Sequence, residues 1–225
     1  MHQTTHQPMR RTGRPIAAAV AVLGLTLALV VSTTAGAVAD EEFNFITGTA
    51  GDDRLHGTSA ADDMRGNRGD DRLWGHDGAD VLWGGPGADT LRGGAETDGL
   101  YGRSGADHLR GDHGADFLNG GSGADHLGGG YGSDLLVGGK GNDILWGGPG
   151  PDHVIGGPGN DSVENEVGRD RIDLGAGNDS YVDWEVDGQR DEIWCGPGDD
   201  FVGYWGDPDP ADTLHGCERV GNIAH

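Results

Sequence analysis

The sequence predicts an all-β solenoid, a stack of short strands and turns in place of a globule with a compact core. Three observations carry that reading. From Gly48 to Val182 the chain divides without insertion into fifteen units of nine residues. Every unit has Asp at its sixth place and an apolar side chain at its eighth, from Asp53 and Leu55 to Asp179 and Tyr181. Glycine recurs at the first, second and fourth places, which rules out helix, because each interior Gly costs about 1 kcal/mol relative to Ala.

Within a unit the parts have separate jobs. In the last three residues the middle one is apolar and its neighbours vary, the period-two pattern of a strand with one side chain inward and two outward. The first six residues form the turn. Their glycines permit positive φ and leave no side chain between loops stacked about 4.8 Å apart. Stacking one carboxylate per turn at that spacing is strongly repulsive unless a hard cation held by carboxylate and carbonyl oxygens relieves it. The sixth-place candidates are Asp53, Asp62, Asp71, Asp80, Asp89, Asp98, Asp107, Asp116, Asp125, Asp134, Asp143, Asp152, Asp161, Asp170 and Asp179. With no His or Cys in register, oxygen-only ligands select calcium over zinc or copper, and magnesium holds its water too tightly.

Units such as Gly84-Gly85-Pro86-Gly87-Ala88-Asp89-Thr90-Leu91-Arg92 and Gly138-Gly139-Lys140-Gly141-Asn142-Asp143-Ile144-Leu145-Trp146 resemble the RTX, or hemolysin-type, calcium-binding repeat. The resemblance implies a right-handed parallel β-roll with two units per coil and calcium ions between loops on the same side. Units i and i+2 would then share an ion, giving at most about thirteen interior sites. It also implies that the chain folds on meeting calcium. One apolar side chain per nine residues cannot offset the entropy of ordering all nine, so the metal-free chain is expected to be largely unfolded.

Some units depart from the pattern. Ala60 and Glu96 stand at the fourth place, Thr49, Thr58, Asn67 and His76 at the second, and Asn165 and Leu174 at the first. Loop geometry and metal binding are therefore least secure at the two ends of the array.

Composition agrees with a chain that lacks its counter-ion. Of 225 residues only 34% are hydrophobic and 46 are Gly, and the formal charge is −23. Residues 1–39 differ from the rest: Arg10, Arg11 and Arg14 precede an apolar run from Ile16 to Val31, then Ala35-Gly36-Ala37-Val38-Ala39. This is a secretory signal peptide with cleavage expected before Asp40, by the general secretory route in preference to the twin-arginine one. Its removal leaves 12 basic against 38 acidic residues, a charge of −26. The exported protein is expected to be extracellular and free of the membrane, and at this charge nucleic acid is excluded as a partner.

Residues 40–47 form an N-terminal lead-in, 48–182 the fifteen repeats, and 183–225 divergent repeats that serve as a C-terminal cap. After Val182 the frame slips by three, resumes at Asp191 and Ile193, and slips again before Asp212 and Leu214. A solenoid needs a closed end, because its last open strand edge is an aggregation hazard. Cys195 and Cys217 are the only cysteines of an exported chain, so a disulfide between them is expected to pin the cap.

With two units per coil, odd and even units build different sheets. The odd face carries Arg54, His56, Arg72, Trp74, Arg92, His108, Arg110 and His126, in which Trp74 beside Arg92 fits a cation–π pair or a carbohydrate platform. The even face carries an apolar stripe of Val81, Trp83, Tyr101, Phe117, Leu135, Val137 and Ile155. The stripe is a candidate docking face for a second copy, the C-terminal tail or a cell-wall or glycan component, although strand propensity alone also places such residues there.

No enzyme is expected. The sequence has no His-Glu-x-x-His helix and no Gly-x-Ser-x-Gly elbow, and paired acids such as Asp52-Asp53 belong to the turns. The function expected is calcium binding by a secreted, stand-alone β-roll. The alternatives are a calcium-rigidified adhesion or cell-wall interaction protein, and an accessory or remnant of a secreted hydrolase.

Overall fold

The computed structural model describes residues 44–165, 167–184, 188–206 and 208–223. The expected signal peptide, residues 1–39, and the start of the lead-in lie outside the described residues. Among the described residues all of the regular structure is β, in two ten-stranded sheets. The first sheet runs from Asn44–Thr47 to Thr213–His215 and the second from Arg54–His56 to Arg219–Asn222. Successive strands in the chain alternate between the sheets, and within a sheet each strand pairs in parallel with the next but one, so two units make one coil as expected.

Register follows from the period. Through the regular repeats each residue pairs with the one 18 ahead, as in His126↔Ile144 and Phe117↔Leu135. The eighth-place residues of all fifteen units are therefore stacked in one interior file between the sheets, and Leu55 to Tyr181 are all buried. The outward neighbours alternate around them, as in the strand Arg72–His76, where Leu73 is buried and Arg72 exposed.

The lead-in carries a strand that its sequence did not announce. Asn44–Thr47 pairs with Asp62–Arg65, Ile46 joins the buried file, and Asn44 takes the sixth place opposite Asp62. The signal was present as Asn-Phe-Ile-Thr, one unit ahead of the array, with amide in place of carboxylate.

The divergent end extends both sheets by two strands each. Three extra residues between Asp183 and Asp191 lengthen the pairing offset to 21 at Arg171↔Glu192 and Ser180↔Phe201. A second lengthening at Glu192↔Thr213 is recovered by a shortened last loop, so that Phe201 pairs with Arg219 at an offset of 18. That shortened loop contains Cys217, and its disulfide to the fully buried Cys195 ties the last loop to the core.

The irregular units are absorbed locally. Glu96 adopts φ +76 at a place where its neighbours use Gly, while Asn67, His76, Arg103 and Asp112 take positive φ at the second place. Leu174, where a first-place Gly was expected, turns inward and joins the core.

Candidate metal centre

The loops on each side of the roll are joined by a ladder of aspartates. The backbone N–H of each sixth-place Asp donates to Oδ1 of the Asp one coil ahead: Asp71 to Asp89, Asp89 to Asp107, Asp107 to Asp125, each at 2.8 Å. The other side repeats it, Asp80 to Asp98 and Asp98 to Asp116 at 2.8 Å. One carboxylate oxygen per turn is thus spent on holding coil to coil.

The second oxygen is what makes the arrangement unusual. From Asp71 to Asp161, Oδ2 of every ladder carboxylate is buried and no protein group donates to it. A buried carboxylate oxygen without a partner costs several kcal/mol in an apolar surround, on the order of 2–7 by transfer measurements. Each Oδ2 points at the first-place Gly of its own turn, against which the carbonyl oxygen of the next coil's loop also converges. An ideal Cβ on Gly102 would lie 2.4 Å from Oδ2 of Asp107 and 2.7 Å from the Gly120 oxygen; on Gly111 it would lie 2.3 Å from Oδ2 of Asp116 and 2.5 Å from the Gly129 oxygen. In these turns a first-place side chain would collide with the carboxylate. Between successive loops this brings together a carboxylate and a carbonyl oxygen, both hard donors of the kind calcium takes. The residues present fit a divalent oxygen-liganded cation.

Electrostatics of the metal-free ladder point the same way. Burial, opposed by the N–H bond and aided by neighbouring carboxylates, pushes Asp98 and Asp152 up to about 8 and Asp80, Asp107 and Asp116 up to about 7. Asp71, Asp125 and Asp161 rise to about 6 for the same reasons. Without a cation these groups take a proton at mildly acid pH. Their folded pKa values exceed the unfolded value near 3.8, so this contribution to stability is fully present below that value and is lost as pH rises through 6–8. Calcium requires the ionised form, so its affinity runs in the opposite direction. Circular dichroism of calcium-depleted protein should therefore show β structure gained on acidification from pH 8 to 4, and calcium affinity falling over the same interval. A metal-free chain whose β content rises with pH would contradict this account of the ladder.

The ends of the ladder, where the sequence marks the pattern as least secure, differ from its middle. Asp53 and Asp62 have their Oδ2 already satisfied. The Thr49 N–H donates to Asp53 at 2.5 Å with its hydroxyl at 2.9 Å, and Thr58 does the same for Asp62 at 2.6 and 3.2 Å. Threonine four residues before the Asp is the sequence signal for this substitution. Toward the other end the ladder goes beyond the fifteen units: Asp170 donates to Asp191, Asp179 to Asp200, Asp191 to Asp212 and Asp200 to the Glu218 carboxylate. Glu218 was missed because the shortened loop takes it out of the nine-residue frame.

Two further groupings were not legible in the sequence. A lesser ladder runs through fifth-place side chains, Ala88 N–H to Asp70 and Asn178 N–H to Asn160 at 2.8 Å. Asp183 is buried, and carboxylate oxygens of Asp183, Asp191 and Asp212 lie within 4.8 Å of one another. The Tyr181 hydroxyl reaches Asp191 at 3.5 Å, and burial among these acids raises its pKa further above the usual range.

The predicted apolar stripe is not an open surface. Trp83 stacks on Tyr101 with centroids 4.0 Å apart, Tyr101 lies 5.4 Å from Phe117, and Arg103 covers Trp83 at 4.7 Å. Val81, Leu135, Val137 and Ile155 are half-buried among such neighbours. Rings along the stripe cover one another's faces, while Trp83, Tyr101 and Phe117 stay half-buried with the rest. Well-exposed large apolar side chains instead include Tyr131, Ile144 and Trp146, on the other sheet and its loops.

The family model of the RTX calcium-binding nonapeptide repeat matches residues 38–73, 56–91, 65–100, 92–127, 128–163 and 166–181, together more than half of the chain. No curated protein matches it.

Proposed function

The chain belongs to the RTX calcium-binding nonapeptide repeat family, and from that premise we propose that it is a secreted β-roll whose folding is its response to extracellular calcium. The observation that carries this reading is the file of buried Oδ2 atoms with no protein donor. Only a cation or a proton completes them, and at neutral pH outside a cell the abundant hard divalent cation is calcium. The residues that would hold it are the ladder aspartates from Asp71 to Asp161, together with the loop carbonyls that face them. Bound calcium would supply charge neutralisation between coils; the chain's own contribution is the N–H to Oδ1 ladder that fixes each carboxylate in place.

Secretion is supported by the arginine-led apolar segment at residues 1–39 and by the Cys195–Cys217 disulfide, a bond suited to an oxidising compartment. The role is binding, not catalysis: the buried carboxylates of the repeats are engaged in the ladder. A rigid rod of this kind also presents outer faces to cell-wall or glycan partners. The test is to express residues 1–225 in a secreting host. The expected product is a chain in the medium that begins at or near Asp40 and carries the disulfide. Retention in the cytoplasm with two free thiols would overturn the extracellular part of the proposal.

A further inference from the structure

Along the second sheet runs a groove of about 1100 Å³ that crosses the five strands bearing Trp74, Arg92, Arg110, Gly128 and Trp146. Those residues are in register, one per coil, so the groove extends roughly 19 Å along the axis at the usual strand spacing. Its wall comes from the loops that follow, because strands such as His108–Gly114 and His126–Gly132 continue past the bend and carry His113 and Tyr131 with them.

Three features give this groove a chemistry. First, it holds basic side chains in a strongly acidic chain. Arg92 and Arg110 both offer Nε to the buried Asp112, which fixes the two guanidinium groups while leaving the side chains 55% and 64% exposed. The His108 and His126 rings lie beside them, centroids 4.6 Å apart. Second, it is notched. Gly128 interrupts the row of large side chains, and the only neighbour within 4 Å of an ideal Cβ there is Trp146 Cε3 at 3.8 Å, so an indole forms one side of the notch. Third, aromatic surface is open in it: Tyr131, stacked on His113, is 62% exposed and Trp146 39%.

Flat aromatic faces suit the apolar face of a sugar ring, pre-fixed guanidinium groups suit carboxylate, and a groove along the axis with one feature per coil suits a linear chain. We propose that this groove binds an acidic polysaccharide, a linear glycan bearing carboxylates. The ring would lie in the notch at Gly128 against Trp146 and its carboxylates toward Arg110 and Arg92. The inference rests on the calcium-folded roll proposed above, since the row exists only when coils are stacked.

The test uses residues 40–225 in calcium, with circular dichroism recorded on each sample, and hexagalacturonate and neutral maltohexaose as probes in titration calorimetry. Hexagalacturonate is expected to bind and maltohexaose to bind at least about tenfold more weakly. Arg92→Gln with Arg110→Gln, and separately Trp146→Ala, should each raise Kd about tenfold or more. Gly128→Asp, whose side chain has room but carries the wrong charge, should abolish binding with the fold intact, whereas Val137→Ser on the opposite sheet should leave Kd unchanged. A folded chain that binds the two probes equally, or neither, overturns the groove assignment alone. A chain without β structure in calcium overturns it together with the folding proposal.

Discussion

Calcium-depleted protein at pH 7.5 is expected to lose nearly all of its β signal, and to regain it cooperatively when calcium, but not magnesium, is returned. The structure gives the physical reason in its interior. Each turn of nine residues buries one aliphatic or aromatic side chain, and each also buries one ladder carboxylate. Backbone ordering costs roughly 1–2 kcal/mol per residue, against about 1.5–3 for the buried side chain. The N–H to Oδ1 bonds add to the favourable side, but Oδ2 from Asp71 to Asp161 is left with no donor, at a strand spacing from the next like charge. Calcium removes that penalty in many turns at once, which is why the transition should be steep. Magnesium has the charge but demands a tighter octahedron and gives up water reluctantly. Far-UV circular dichroism in chelator, then in each metal, decides it. A β spectrum that survives chelation at neutral pH would mean that the core and backbone ladder suffice without the ion.

The second large effect is expected from a single methyl group. Gly123→Ala should cost on the order of 4 kcal/mol, seen as a fall of about 10 °C in the calcium-saturated Tm. Gly123 has φ +143, and an ideal Cβ there would lie 1.6 Å from the carbonyl oxygen of Gly105 in the previous coil. Neither atom is the flexible end of a side chain, so the two coils must part. The informative control is Gly51→Ala. Gly51 stands at the fourth place of its unit without a positive φ, and among the described residues nothing lies within 4 Å of its ideal Cβ, so the Tm of this variant should be unchanged. An equal loss at Gly51, which has neither the positive φ nor the contact, would show that contact between coils does not set the requirement.

That pair of glycines marks where sequence reading stops. Period, strand position, the inward file from Leu55 to Tyr181 and the rank of aspartates are local properties, repeated every nine residues. A repeat multiplies a weak local signal until it is unambiguous, so these were legible. The ends of the array were legible as less regular, but not what replaces the pattern there. The Oδ2 atoms of Asp53 and Asp62 are satisfied by Thr49 and Thr58, Leu174 fills a glycine place from the core, and Glu218 completes a ladder that its sequence frame denies it.

The faces show the same limit. Alternation assigned outward residues to the correct sheet, but not whether neighbours 18 residues apart would stack on one another or stand open. Trp83, Tyr101 and Phe117 close over each other; Trp146 meets only Gly128 in the preceding coil and stays exposed. By itself, then, the sequence determined the all-β repeat, its core file and its calcium-ready carboxylates, because each depends on spacing within a unit. Only the tertiary structure decided which carboxylates lack a donor, which glycines are obligatory and which face is a groove, because each depends on what the next coil places 18 residues away.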